Sequence, residues 1–159
     1  MSYQAVILTV SDSCAAGTRT DTSGPAIRAM LENAGFAVQA MQTVPDEEGQ
    51  ISAAIVHACD ILQADLIVTT GGTGLSARDV TPEATLAVLD REIRAIPVAM
   101  WVEGLKSTPR AMLSRAVAGT RGHTLVLNVP GSEKAARENL GAVVATLDHA
   151  LRMLAGGGH

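Results

Sequence analysis

Apolar residues along this chain fall into two alternating patterns, short unbroken runs and stripes at helical spacing. The run AVILTVS at 5–11 reads as a buried strand. A polar loop at 12–22 leads from it to Ser23, a candidate N-cap, with Pro25 just inside a helix. Ile27, Met30, Leu31 and Ala34 mark the apolar face of that helix and Gly35 ends it. FAVQAMQTV at 36–44 supplies a second strand, closed by Pro45. Asp46 then opens a helix whose buried face is Ile51, Ala54, Ile55, Ala58 and Leu62, and a third strand follows at 65–69.

Thr81, Pro82 and Glu83 read as N-cap, first helical position and first-turn acid of the next helix. IPVAMWVEGL and PRAML are helical segments parted at Ser107, Thr108 and Pro109, because proline cannot continue a helix from within. Trp101 reads as core beside Val98, Met100, Val102 and Leu105. HTLVLNV at 123–129 is the last clear strand. Ser132 then caps a helix carrying Leu140, Val143, Val144, Leu147, Leu151 and Leu154 at strict helical spacing. Strands alternating with helices predict an α/β fold, a three-layer αβα sandwich with a mostly parallel sheet in a single domain. Residues 1–155 form that domain, and residues 156–159 are read as a disordered tail.

Composition narrows the classes. A length of 159 residues suits one ordinary core, and no apolar run approaches the roughly 18 residues of a membrane span. AVILTV near the start has no basic leader, so the expectation is a cytoplasmic protein with no membrane partner. A net charge of −4 with 2% aromatics argues against nucleic-acid binding. Cys14 and Cys59 lack CxxC spacing, and His57, His123, His149 and His159 form no zinc pattern. Charge distribution says more than its sum: from Gly104 to Ser132 there is no acid, while Lys106, Arg110, Arg115 and Arg121 fall inside. Such a run ordinarily serves solubility; beside an anion-binding loop it also offers a second anion a seat.

That loop is TTGGTGLSARDVTPEA at 69–84. Gly71, Gly72 and Gly74 let the backbone turn after a strand so that peptide N–H groups can face a phosphate, and Arg78 and Asp79 follow at once. Four strand-end loops converge in such a sheet: Ser11 and Asp12; Pro45 and Asp46; residues 71–79; and residues 128–132. Residues 72–77 match a GxGxxA dinucleotide pattern, but the helix signal is delayed to Thr81, which speaks against a nicotinamide-dependent reductase. Asp46 and Asp79 are either helix-entry acids or a carboxylate pair for Mg²⁺, which commonly takes one or two protein ligands, waters and substrate phosphates.

In these blocks the chain resembles the molybdopterin adenylyltransferases of the MogA type, including the corresponding domains of plant and animal proteins such as gephyrin. The carriers are TVSDS at 9–13, SGPA at 23–26, VPDE at 44–47, TTGGTGLSARDVTPEAT at 69–85, LKSTPRAMLSRAVAGTRG at 105–122 and LNVPGS at 127–132. The resemblance implies a molybdenum cofactor biosynthesis fold and Mg²⁺-dependent transfer of AMP from ATP to the terminal phosphate of molybdopterin, with pyrophosphate released. It implies Asp46 and Asp79 as the catalytic, metal-binding acids, and Gly71, Gly72, Thr73 and Gly74 as the nucleotide loop. Ser11, Asp12, Pro130, Gly131 and Ser132 would line the nucleotide pocket. Ser114 and Arg115 would meet the pterin, and Lys106 with Arg110 its phosphate. A homotrimer and a metal-insertion enzyme as pathway partner are also implied. Gly104 departs from the serine expected in EGLKST. The alternative from another class is a catalytically silent molybdopterin-binding scaffold, against which both acids are present.

Overall fold

Residues 2–157 are described by a computed structural model. In chain order the elements are β1 (Gln4–Val10), α1 (Asp12–Ala15), α2 (Ser23–Asn33), β2 (Ala37–Val44) and α3 (Glu48–Val56), which a π-helical turn (His57–Ile61) prolongs. Next come β3 (Leu66–Thr70), α4 (Thr81–Leu86), β4 (Arg91–Glu92) and α5 (Ala95–Leu105). A 3₁₀ turn (Pro109–Leu113), β5 (Ala118–Arg121), β6 (Thr124–Val129) and α6 (Glu133–Leu154) complete the chain. The strands form one sheet in the order β2-β1-β3-β6-β5-β4. β2, β1, β3 and β6 run parallel, while β5 and β4 add an antiparallel edge.

Why the inner strands read as unbroken apolar runs is plain from their burial. Every residue of β3 and β6 is buried, because helices cover both faces of the parallel sheet. Alternate side chains go to opposite faces. Ala5, Ile7, Leu66, Val68, Leu125 and Leu127 meet Ile27 and Leu31 of α2, Met100 of α5 and Leu140 and Leu147 of α6. Val6, Leu8, Val10, Ile67 and Val126 meet Ile51 and Ile55 of α3 and Ala84 of α4. Each fully buried Leu or Ile of this kind contributes about 1.5–3 kcal/mol.

β1 sends the chain to β2 on one side and β3 on the other, so the strand order reverses at the β1/β3 crevice. Ligands of open α/β sheets bind at the carboxyl ends of strands at such a reversal.

Several expectations are corrected. The loop after β1 holds the short α1, with the Ser11 hydroxyl accepting from Cys14 N at 3.2 Å. Ser23 is the first residue of α2 rather than its cap; Asp21 does the capping, its Oδ1 accepting from Gly24 N at 3.0 Å. Asp46 lies in the loop before α3, whose helical turns begin at Glu48. Leu62, beyond the π-helical turn, is 37% exposed and leaves the apolar stripe. Thr81 is the first helical residue of α4, with Val80 as N-cap. Met100 is buried, but Val98, Val102 and Leu105 are exposed, so Trp101 sits half-buried at an apolar surface. β4 and β5 escaped notice because they have two and four residues and little apolar content. Of the expected tail, Gly156 and Gly157 close α6 by donating to Met153 O and Arg152 O, while residues 158–159 lie outside the described residues.

Candidate active site

At the reversal point the strand ends surround a cavity of about 800 Å³. β1 brings Ser11 to it, the loop after β2 brings Asp46, and β3 runs into Gly71, Gly72, Thr73 and Gly74. β6 delivers Pro130, Gly131 and Ser132, and the Ser132 hydroxyl caps α6 by accepting from Ala135 N at 3.3 Å. The amino end of this 22-residue helix therefore faces the cavity, a setting favourable to anions. Asp79, Arg110 and Ser114 also line the walls.

Gly71 and Gly72 have φ of +99° and +69°, a left-handed backbone that strains other residues. At Gly71 a Cβ would run into Val10 O, so the loop must cross directly over the end of β1. Its N–H is spent on Val129 O at 3.1 Å. The amides of Gly72, Thr73 and Gly74 donate to no protein group among the described residues, and these three remain for an anion.

The two acids flank this loop. Asp46 Oδ1 stands 3.2 Å from where a Cβ on Gly72 would be, and Asp79 Oδ2 stands 2.9 Å from the equivalent point on Gly74. Each carboxylate has one oxygen held by backbone: Asp46 Oδ2 accepts from Asp12 N at 2.9 Å, and Asp79 Oδ2 from Ser76 N at 3.0 Å. The second oxygen of each takes no hydrogen bond among the described residues. Burial raises the Asp46 pKa above the usual carboxylate value; the nearby charges of Asp12 and Asp79 push the same way, against the Asp12 N–H and Arg78.

Asp12, expected in the pocket, turns its carboxylate elsewhere. Asp46 N donates to Asp12 Oδ1 at 2.9 Å, so the two loops exchange reciprocal bonds. Arg78 grips Asp12 with Nε and an Nη at 3.0 and 2.9 Å and reaches Glu47 at 3.0 Å. Chiefly through that grip the Asp12 pKa falls and that of Arg78 rises.

Arg115 is likewise absent from the lining. Its Nε donates to Gly74 O at 2.8 Å, one Nη to Asp79 O at 2.7 Å, and the other pairs with Glu83 at 2.6 Å. It ties the glycine loop to Asp79 O and to Glu83 of α4 and does not line the cavity. Lys106 pairs with Glu103 at 2.9 Å outside the cavity. Arg110 lines the wall, and its guanidinium pairs with no acid among the described residues.

Sequence reasoning missed Arg19, Glu138 and Asn139, which also line the cavity. Glu138 lies away from the core stripe of α6, whereas Asn139 is 4% exposed and packs alongside that stripe as a polar break in it. Gly104, noted as a departure, lines the wall; a Cβ there would meet Ala111 Cβ at 2.9 Å, so a serine would push the 3₁₀ turn outward.

Among the described residues no cluster of three or more His, Cys, Asp or Glu is placed to hold a metal. Two hard carboxylate oxygens beside free amides still fit Mg²⁺, which draws much of its shell from water and phosphate. A buried hydroxyl without a partner, Thr81 Oγ1, lies against Gly72 on the same side. No helix is long and apolar enough to cross a membrane among the described residues.

Comparison with known proteins places these features in a family. A family model described as "Probable molybdopterin binding domain" matches residues 6–149. Gephyrin of Dictyostelium discoideum is 41% identical over 93% of this chain and 22% of its own length. The chain spans less than half of this relative and of two other curated relatives, at 25% and 49%. The molybdopterin adenylyltransferase of Helicobacter pylori (strain J99) is 36% identical over 94% of this chain and 86% of its own. Among solved structures, the molybdopterin biosynthesis enzyme MoaB of Thermus thermophilus superposes with a TM-score of 0.92 at 49% identity over 97% of both chains.

Proposed function

The chain belongs to the MogA/MoaB-type family of molybdenum cofactor biosynthesis proteins, and from that premise we propose that it adenylylates molybdopterin with Mg-ATP. A terminal phosphate oxygen of molybdopterin attacks the α-phosphorus of ATP. The bond from that phosphorus to the bridging oxygen breaks, and pyrophosphate leaves with the electron pair. The nucleophile is already an anion, so no serine or cysteine is needed; positioning and charge neutralisation carry the rate. Bound Mg²⁺ would neutralise triphosphate charge beside Asp46 and Asp79.

The observation that carries the reading is two acids beside three uncommitted glycine-loop amides, Asp46 with its free Oδ1 at Gly72 and Asp79 with its Ser76-bound Oδ2 at Gly74. The amides of Gly72, Thr73 and Gly74 bind phosphate oxygens, and the amino end of α6 adds favourable field. Arg110 holds the acceptor phosphate, and Ser114 lies on the same wall. Asp12, Arg78 and Arg115 fix the loops and touch no substrate.

Val98, Val102 and Leu105 of α5, with Met112 and Leu113 of the 3₁₀ turn, are exposed apolar residues, which supports self-association as a homotrimer. The cytoplasm suits an enzyme that draws on ATP, and a metal-inserting enzyme is the natural consumer of its product.

The test is incubation with molybdopterin, Mg²⁺ and α-labelled ATP. Label passes to the pterin with the wild type, and Asp79→Asn binds molybdopterin but transfers none. Wild-type protein that binds molybdopterin without Mg-dependent ATP binding would instead be a silent scaffold.

A further inference from the structure

One wall of the cavity changes chemistry along its length. α6 contributes Ser132, Ala135, Glu138 and Asn139, spaced so that a single face of its first turns meets the cavity. From Ser132 to Asn139 the helix rises about 10 Å. At the Ser132 end the wall adjoins the glycine loop, with a Cβ on Gly131 standing 3.1 Å from Gly71 Cα. At the other end it meets α5 and the 3₁₀ turn, where a Cβ on Gly104 would stand 3.7 Å from Asn139 Nδ2 and 2.9 Å from Ala111 Cβ. The first end favours anions; the second carries an acid.

That second end offers acceptors without donors to fill them. The Glu138 side chain is 24% exposed, and its ion-pair partner, the 82% exposed Lys134, stands 3.8 Å from Oε1, beyond hydrogen-bond range. Asn139 is 4% exposed, and its amide is oriented by Nδ2, which donates to Ala135 O at 2.8 Å. Asn139 Oδ1 then accepts no hydrogen bond among the described residues. It is not sealed in as Thr81 Oγ1 and Trp101 Nε1 are, and its residue belongs to the cavity wall. A largely buried acceptor left open in this way calls for a donor from a ligand.

A carboxylate repels phosphate, so this end suits a group rich in N–H. Both substrates of the reaction read above carry an amino heterocycle, and their hydrogen-bond patterns differ. In the 2-amino-4-oxopyrimidine ring of a pterin the amino group adjoins a ring N–H, so two donors lie side by side and match the two oxygens of a carboxylate. In adenine the amino group adjoins ring nitrogens that only accept, and a carboxylate there would face a lone pair. Resting on the molybdopterin reading, we propose that Glu138 and Asn139 recognise the pterin ring of the acceptor. The Glu138 carboxylate accepts from the amino group and the adjoining ring N–H, and Asn139 Oδ1 accepts the remaining amino hydrogen. The place agrees with Arg110, which belongs to the neighbouring 3₁₀ turn and takes the acceptor phosphate in the same reading. One helix thereby sorts the substrates, with phosphates at its amino end and the pterin along its next turns.

Glu138→Gln keeps size and shape, removes the charge and puts an amino group where an acceptor stood. Calorimetric titration of wild type, E138Q and N139L with molybdopterin and, separately, with Mg-ATP reads each substrate by itself. Expected is a weakening of molybdopterin binding by about tenfold or more in E138Q and about fivefold in N139L, with Mg-ATP affinity within about twofold of wild type in both. N139A takes the place of N139L should leucine prevent folding. Molybdopterin binding by E138Q equal to that of wild type would overturn this inference and leave the functional reading standing. So would a loss of Mg-ATP affinity in its place, which would give this edge to adenine. Wild-type protein that binds no molybdopterin would overturn the functional reading and this inference with it.

Discussion

Gly72→Ala is the sharpest probe of how tightly the glycine loop is built. Two costs arise in the folded protein. Alanine at a φ of +69° enters the left-handed region, at about 1–2 kcal/mol. Its Cβ also overlaps Thr81 Oγ1, which is pinned by its own backbone; overpacking of this kind costs about 1–3 kcal/mol. Together about 2–5 kcal/mol is expected, a large part of the roughly 5–15 kcal/mol that stabilises a typical domain. At about 2–4 °C per kcal/mol, the melting temperature falls by roughly 4–20 °C. The second cost alone depends on the hydroxyl. In G72A/T81A the overlapping oxygen is gone, while Thr81 Cβ, which alanine retains, stands 3.2 Å from the new atom. Urea unfolding of wild type, both single variants and the double variant gives the coupling directly. The double variant should be more stable than the sum of the singles predicts by about 1–3 kcal/mol. Additivity within about 0.5 kcal/mol, or a G72A protein melting with wild type, would refute the argument.

Other expectations follow from the same contacts. Arg115→Lys cannot hold Gly74 O, Asp79 O and Glu83 together, so hydrogen exchange at 74–80 should rise and Mg-ATP affinity fall by about tenfold or more; unchanged exchange would deny Arg115 its role behind the loop. Asp60 is held below the usual carboxylate range chiefly by its Arg121 hydrogen bonds. A depressed folded pKa gives stability that is present above the unfolded value of about 3.9 and is lost as pH falls through the folded one. The stability deficit of Asp60→Asn, followed by urea midpoints, should therefore shrink below about pH 4, and a deficit constant with pH would contradict the assignment. Val102→Glu puts a charge on the apolar surface of α5 and should reduce the light-scattering mass from trimer to monomer without loss of helical circular dichroism; a wild-type monomer would end the self-association reading.

Much of the fold could be read before any coordinates, because in a covered parallel sheet burial and sequence pattern are nearly the same thing. Val6, Leu8 and Ile67 could point to one face and Ile7, Leu66 and Val68 to the other without changing the run of apolar letters. β4 and β5 stayed hidden since an antiparallel edge of two and four residues has too little periodicity to stand out. The candidate site was legible as loops: strand ends meet at one edge by topology alone, so Ser11, Asp46, the glycines and Ser132 come together. Direction of side chains was not. Arg115 and Lys106 lay in a cationic segment suited to an anion, yet Glu83 and Glu103 claim them. Asp12 lay beside Ser11 at a strand end, yet Arg78, 66 residues away, turns its carboxylate aside. Thr81 was read as a cap because a threonine before Pro-Glu has that pattern, and only burial reveals its hydroxyl as unpartnered.

β2 forms the outer parallel strand, and Gln39, Met41, Gln42 and Thr43 along it are exposed. It delivers Asp46, tied to the rest of the molecule at that end by the Asp12 exchange and by Ser11 N donating to Val44 O at 2.9 Å. Outer strands with few buried side chains open in sub-global fluctuations at lower free energy than the core. On the proposed reading the carboxylate of Asp46 follows an exposed outer strand, and in mild denaturant turnover should fade while β1, β3 and β6 are still intact. Were that so, the margin for function would be narrower than the margin for folding.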